Sequence, residues 1–261
     1  MYELFLSKIR NIPLFLFLLT FFSFLFSATI SKNSGNLGGI LVLTLTMIPL
    51  IQITTKLIER EANISLTIKR KNIFYRHKDF IINYFAIFFG AVLASYISYL
   101  LYPNIFYPQI DAIHEIKSEI LARASAIDKK AFAFYILINN IKVLLLFFLF
   151  SFIFGAGAIY ELLWNSSIIG VFLGLKVQEI SGDFFYKYIT YPLYSLILLL
   201  PHGILEFLAY FLAALAGGIF SMSIIKNLKK EELEIILSDS IFLLIFSIVL
   251  LVTAAFIEAF L

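Results

Sequence analysis

The stretch Ile189–Ile225, ITYPLYSLILLLPHGILEFLAYFLAALAGGIFSMSII, decides the fold. Its 37 residues contain one carboxylate, Glu206, one imidazole, His202, and no Lys or Arg. A straight helix crosses the hydrocarbon core of a bilayer in roughly 20 residues, so this run is a membrane element too long for one plain span. Pro201 followed by Gly203 predicts a break at Leu200–Gly203. On that reading Ile189–Leu200 is a shallow or re-entrant helix with Tyr188, Tyr191 and Tyr194 at headgroup level, and Gly203–Ile225 crosses the bilayer. His202 and Glu206 are four residues apart and share a helix face. A polar pair in a run this apolar is the first candidate site.

The rest of the chain has the same character. Hydrophobic residues make up 61% of the 261 positions, charged residues 14%, and the mean hydropathy is +0.97; soluble domains average about 45–50% apolar. The composition predicts an all-α, polytopic transmembrane helix bundle filling residues 1–261 as a single membrane domain. A net charge of +3 is too small to argue for nucleic acid. With no cysteine, disulfides, thiolate metal sites and cysteine nucleophiles are excluded.

Further apolar segments lie at about Ile12–Ile30, Leu37–Ile53, Phe80–Leu101, Ala133–Gly155, Ala156–Val177 and Ile241–Phe260. They give six to seven hydrophobic segments, with six full crossings as the preferred count. The chain divides into an N-terminal hairpin with a basic loop (1–79), a third span with an amphipathic helix (80–132), a core (133–225), and a linker with the last span (226–261). The loop Thr54–Asp79 carries seven basic and three acidic residues, which marks it as cytoplasmic. Within it, Lys69, Arg70 and Lys71 are expected to attract anionic lipid headgroups. In Pro103–Lys130, Ile110, Ile113, Ile116, Ile120 and Ile127 fall at three-to-four spacing, an amphipathic helix on the outer side. Twelve basic residues then lie on the N-terminal side and seven on the other, so the N-terminus is expected in the cytoplasm of a multi-pass cell-membrane protein.

Lys142 sits inside the fourth span, where a lysine at the bilayer centre costs about 2.5–3.5 kcal/mol on insertion scales. It either snorkels or pairs with Glu206, with Asn139, Asn140 and His202 supplying hydrogen bonds. Those five residues form the expected intramembrane polar cluster. In the fifth span Glu161 and Asn165 share a face, as do Gly170 and Gly174, the last two at a spacing that lets helices approach closely; Gly217 and Gly218 read the same way. His77 and His114 lie in segments assigned to opposite sides, so no metal set forms. Neither Gly-x-Ser-x-Gly nor His-Glu-x-x-His occurs. A non-enzymatic protein without cofactor is expected.

FYILINNIKVLLLFFLFSFIFGAGAIYELLWNSSIIGVFLGL, followed by LLLPHGILEFLAYFLAALAGG, resembles the stage II sporulation protein M family of integral membrane proteins. The likeness rests on Asn139-Asn140 with Lys142, a Gly-rich turn (Gly155, Gly157), Asn165 ahead of Gly170 and Gly174, and Pro201-His202-Gly203 with Glu206. The resemblance implies a membrane anchor or organiser for other proteins: a scaffold with an unknown protein partner, and a possible homo-oligomer. A transporter or channel using the polar cluster is the alternative.

Overall fold

A computed structural model describes residues 11–67, 72–124, 129–154 and 156–260. Lys69, Arg70, Lys71, Ile127 and Gly155, all named above, lie outside the described residues. All regular structure among the described residues is helical. The helices are α1 (Ile12–Ser31), α2 (Gly38–Thr67), α3 (Ile73–Arg76), α4 (Lys78–Leu101), α5 (Tyr107–Ala124), α6 (Lys129–Phe154), α7 (Ala158–Glu179), α8 (Tyr191–Ile225) and α9 (Lys230–Phe260). Seven of these elements are long and apolar enough to cross a membrane, one more than the preferred count, because every hydrophobic segment folds into a helix of at least 20 residues.

Local chemistry sets the boundaries. Asn11 caps α1, its side chain accepting from the Leu14 amide at 3.2 Å, with Pro13 in the first turn where no N–H is needed. α8 ends where Asn227 takes a left-handed conformation (φ 49°), and the Leu228 amide donates back to the Ser223 carbonyl at 3.2 Å. This is the closure expected at a helix C-terminus, and it turns the chain directly into α9.

Two expectations are corrected. The segment Thr54–Thr67 is not loop: α2 continues through it to Thr67. Lys, Glu and Arg are good helix formers, and the inward stripe Leu50, Ile53, Leu57, Glu61 and Ser65 keeps this extension buried on one side. Nor does the run around Pro201 break. A π-helical turn, Tyr186–Thr190, feeds an uninterrupted α8 with Pro201 in its interior. The ring removes one backbone donor, but in hydrocarbon a helix is the one open-chain conformation that satisfies the remaining groups, so a single missing bond is tolerated.

α8 is the axis of the bundle, flanked by α6 and α9, while α1 packs on α4, α4 on α7, and α2 bridges the two groups. The Phe211 ring meets Tyr84 and Phe85 of α4 (centroids 5.6 and 4.9 Å), and the Tyr96 hydroxyl of α4 donates to the Tyr188 carbonyl at 2.9 Å. Between these contacts the chain advances roughly 34 Å from the π-helical turn to Phe211 on α8, and roughly 18 Å along α4. At 35 residues α8 is about 52 Å long, more than the roughly 30 Å core of a bilayer, so it can cross only tilted or with an end outside the core.

Close approach is bought by small residues. A Cβ on Gly170 would collide with the Ser95 side chain and stand 2.6 Å from the Val92 carbonyl oxygen of α4. One on Gly174 would enter the Tyr99 ring. Gly217 seats α8 against the Phe148 backbone of α6 in the same way. The space at these crossings is filled by neighbouring backbone and rings, so any added side chain must push the helices apart.

Candidate functional site

Of the five residues expected to cluster, the structure brings together Asn140, Glu206 and His202. The inward face of α6 runs Ala133, Ile136, Asn140, Leu144, Phe147, Ser151 at helical spacing. Asn140 lies on that stripe, and its Nδ2 donates to Glu206 Oε1 at 2.6 Å. Glu206 points from α8 toward α6, one turn beyond His202 on the same helix.

Lys142 does not join them. Two steps along a helix is about 200° of rotation, so if residue 140 faces in, residue 142 faces out. Lys142 is exposed, as is Asn139, and makes no ion pair among the described residues. The expected Lys142–Glu206 pair is replaced by the Asn140–Glu206 hydrogen bond.

A partner that sequence reasoning passed over is Glu258, near the end of α9. It lies within electrostatic range of both Glu206 and the buried Tyr210 phenol. Its signal was present, since Glu258 is a carboxylate inside an apolar run just as Glu206 is. Three helices, α6, α8 and α9, thus contribute Asn140, Glu206 and Glu258 to one polar locus. His202, Gly203 and Glu206 border a cavity of about 190 Å³ against Phe88 and Phe207. The buried His202 Nδ1 has no hydrogen-bond partner among the described residues. A second cavity, of about 450 Å³, opens toward α5 and includes Glu258 in its lining; Ile169 and Leu199 border both.

The secondary residues lie elsewhere. Glu161 is buried in the first turn of α7, and the Asn165 side chain donates to its backbone carbonyl at 2.8 Å, a bond within one helix. Gly170 and Gly174 sit at the α4–α7 crossing, away from Glu206.

At the opposite end of the bundle from α5 is a charged collar that no local pattern announced. Arg76 Nη2 donates to both carboxylate oxygens of Asp239 at 2.9 Å, and both side chains are largely buried. Lys226 reaches Glu59 at 3.2 Å and the Asn63 side chain at 3.1 Å, and Arg60 reaches Asp79 at 3.3 Å. Inside the collar, His77 Nδ1 lies 2.6 Å from Glu61 Oε2 and its Nε2 lies 3.4 Å from Ser65 Oγ. The connectivity is that of a nucleophile, base and acid. All three side chains are buried, however, with Ser65 and His77 at 0% exposure, so a substrate carbonyl has no approach to Ser65 in this conformation. The arrangement ties α2 to the start of α4. Among the described residues no three His, Asp or Glu side chains converge as metal ligands.

Comparison with known proteins gives one family and one distant relative. The family described as Stage II sporulation protein M matches residues 80–261, from the first turn of α4 through α9, leaving α1, α2 and α3 outside the match. An uncharacterized protein of Methanocaldococcus jannaschii is 36% identical over 129 residues, covering 48% of this chain and 67% of the relative. No solved structure matches. The match takes in α6, α8 and α9, the three helices that carry Asn140, Glu206 and Glu258, together with the close-packed α4–α7 crossing, and on it the chain belongs to the stage II sporulation protein M family of membrane proteins.

Proposed function

We propose that this chain is a non-enzymatic membrane organiser that holds the transmembrane segment of another protein against α6. The observation that carries the reading is Lys142. It stands 12 residues from Lys130 and 12 from Phe154, at the middle of a helix of which only 22% of the apolar window is buried, the smallest share among the seven spans. A lysine stem reaches about one helical turn, against roughly 18 Å of helix to either end, so the ammonium does not reach either end of α6. Intramembrane charges characteristically face protein or water rather than lipid. Glu161 is buried, and Glu206 and Glu258 are half-buried and border cavities, so among the described residues of a second copy none of these three carboxylates is fully exposed to lipid. A partner helix with an Asp or Glu at mid-depth supplies the complement, and Asn139, one turn away, adds a hydrogen bond. In this reading the N-terminus is cytoplasmic in a cell membrane, as the distribution of basic residues favours.

The test uses a 20-residue Leu/Ala helix with one central Glu, fluorescently labelled, and the labelled full-length protein in the same lipid vesicles. Saturable energy transfer is expected with the Glu helix, not with a Gln helix, and not with Lys142→Met. Equal transfer in all three pairings would refute the reading.

Transport is the second reading, favoured by one observation: Glu206 and His202 border a cavity rather than packing solidly. Solute or proton flux in proteoliposomes that disappears in Glu206→Gln would favour it over the organiser.

A further inference from the structure

The larger cavity, at the α5 end, is assigned to neither reading. α5 covers it from one side and α7 forms its long wall. Ile168, Phe172, Leu175 and Glu179 follow one another at three-to-four spacing down a single α7 face, so the lining runs along roughly 16 Å of helix. Polarity is graded along this wall. The first eight positions carry Ile168, Ile169, Phe172 and Leu175, and the last turn carries Lys176 and Glu179. Lys117 and His114 come in from α5 beside that last turn, and Glu258 from α9.

Charge at the mouth is already arranged. Lys176 Nζ lies 2.6 Å from Glu179 Oε2, and Lys117 is also within electrostatic range of Glu179. The lining holds two ammonium groups, Lys117 and Lys176, against two carboxyls, Glu179 and Glu258, so it is balanced in charge, and the two lysines supply N–H donors for a phosphate. The Glu258 carboxyl is an acceptor for a hydroxyl. A volume of about 450 Å³ falls within the range of small-ligand sites, which are mostly apolar with a few placed polar groups.

We infer that this cavity binds an anionic amphiphile, a phosphoglycerol head on a hydrocarbon chain, with the phosphate at Lys117 and Lys176, the glycerol hydroxyls toward Glu258, and the chain along Ile168, Phe172 and Leu175. The geometry matches the ligand in order as well as in kind: a charged end at the level where α7 stops, and an apolar trough leading into the bilayer. A free phosphate would use the lysines and leave the trough empty. A neutral lipid would leave both lysines unmatched, and a phosphocholine head would bring the phosphate but no hydroxyl to donate to Glu258.

The test is native mass spectrometry of the full-length protein from mild detergent, titrated with a phosphatidylglycerol, with the phosphatidylcholine of the same chains, and with the phosphatidylglycerol in the presence of inorganic phosphate. Retention of one phosphatidylglycerol is expected, about tenfold above phosphatidylcholine, and millimolar inorganic phosphate should leave it in place. Lys117→Met with Lys176→Met should abolish the preference for the anionic head. Leu175→Trp, which fills the trough, should abolish retention of either lipid while the protein stays monodisperse. Equal retention of the two lipids, displacement by inorganic phosphate, or retention unchanged in both variants would each overturn the assignment, leaving loosely held annular lipid or a bare anion site. None of these changes touches Lys142 or Glu206, so failure here is separable from failure of either functional reading.

Discussion

Asn140 and Lys142 are two residues apart on α6 and point to opposite sides: the first donates to Glu206 at 2.6 Å, the second is exposed on the outer face. One short motif thus serves two surfaces. The inward residue ties α6 to α8, and the outward residue leaves a charge at the middle of the most peripheral span.

The first prediction concerns that division. Asn140→Leu leaves the half-buried Glu206 carboxyl without its donor and should lower stability in detergent by about 1–3 kcal/mol. Lys142→Met should change thermal unfolding in detergent little. In double-mutant cycles the 140–206 pair should couple and the 142–206 pair should not.

The second concerns the collar. Asp239→Asn breaks a largely buried ion pair in which Arg76 Nη2 serves both carboxylate oxygens, and should cost about 3 kcal/mol. Arg60→Gln removes a pair in which both side chains are 50% exposed, and should cost about 0–1 kcal/mol. Chemical denaturation of both variants in the same detergent compares them directly.

The third uses two glycines of opposite character. Gly170→Ala must displace Ser95 or the Val92 backbone and should destabilise the α4–α7 crossing by about 1–3 kcal/mol. Gly203→Ala meets only Phe207, at 3.8 Å, and lies inside a helix, where Ala is favoured by about 0.5–1 kcal/mol. Thermal stability should fall for the first and hold or rise for the second.

The fourth is topological. The chain has no cysteine, so single cysteines at Lys117 and Lys229 can be labelled with an impermeant maleimide. They should react from opposite faces of sealed vesicles, Lys229 from the cytoplasmic face. Reaction of both from one face contradicts the seven-span arrangement.

The membrane helices were legible because a run of about 20 apolar residues has one outcome in a bilayer. Their ends were less so. Lys56, Glu59, Arg60 and Glu61 read as loop by charge, yet they extend α2, since helix propensity does not depend on being in lipid. Pro201 read as a break because a proline interrupts soluble helices, a rule the bilayer relaxes. The Asn140–Glu206 contact was within reach of helical angle alone, but matching Lys142 to Glu206 by depth and charge ignored the rotation between positions 140 and 142. Arg76 and Asp239 are 163 positions apart and have no local pattern to connect them.

The central claim, that α6 turns Asn140 inward and Lys142 outward at mid-helix, is tested most directly by nitroxide scanning from Ile136 to Leu149 in lipid vesicles. Collision with dissolved oxygen should oscillate with a helical period, with maxima at 138, 142, 145 and 149 and minima at 136, 140, 144 and 147. A minimum at 142 with a maximum at 140, or no oscillation, would contradict the account.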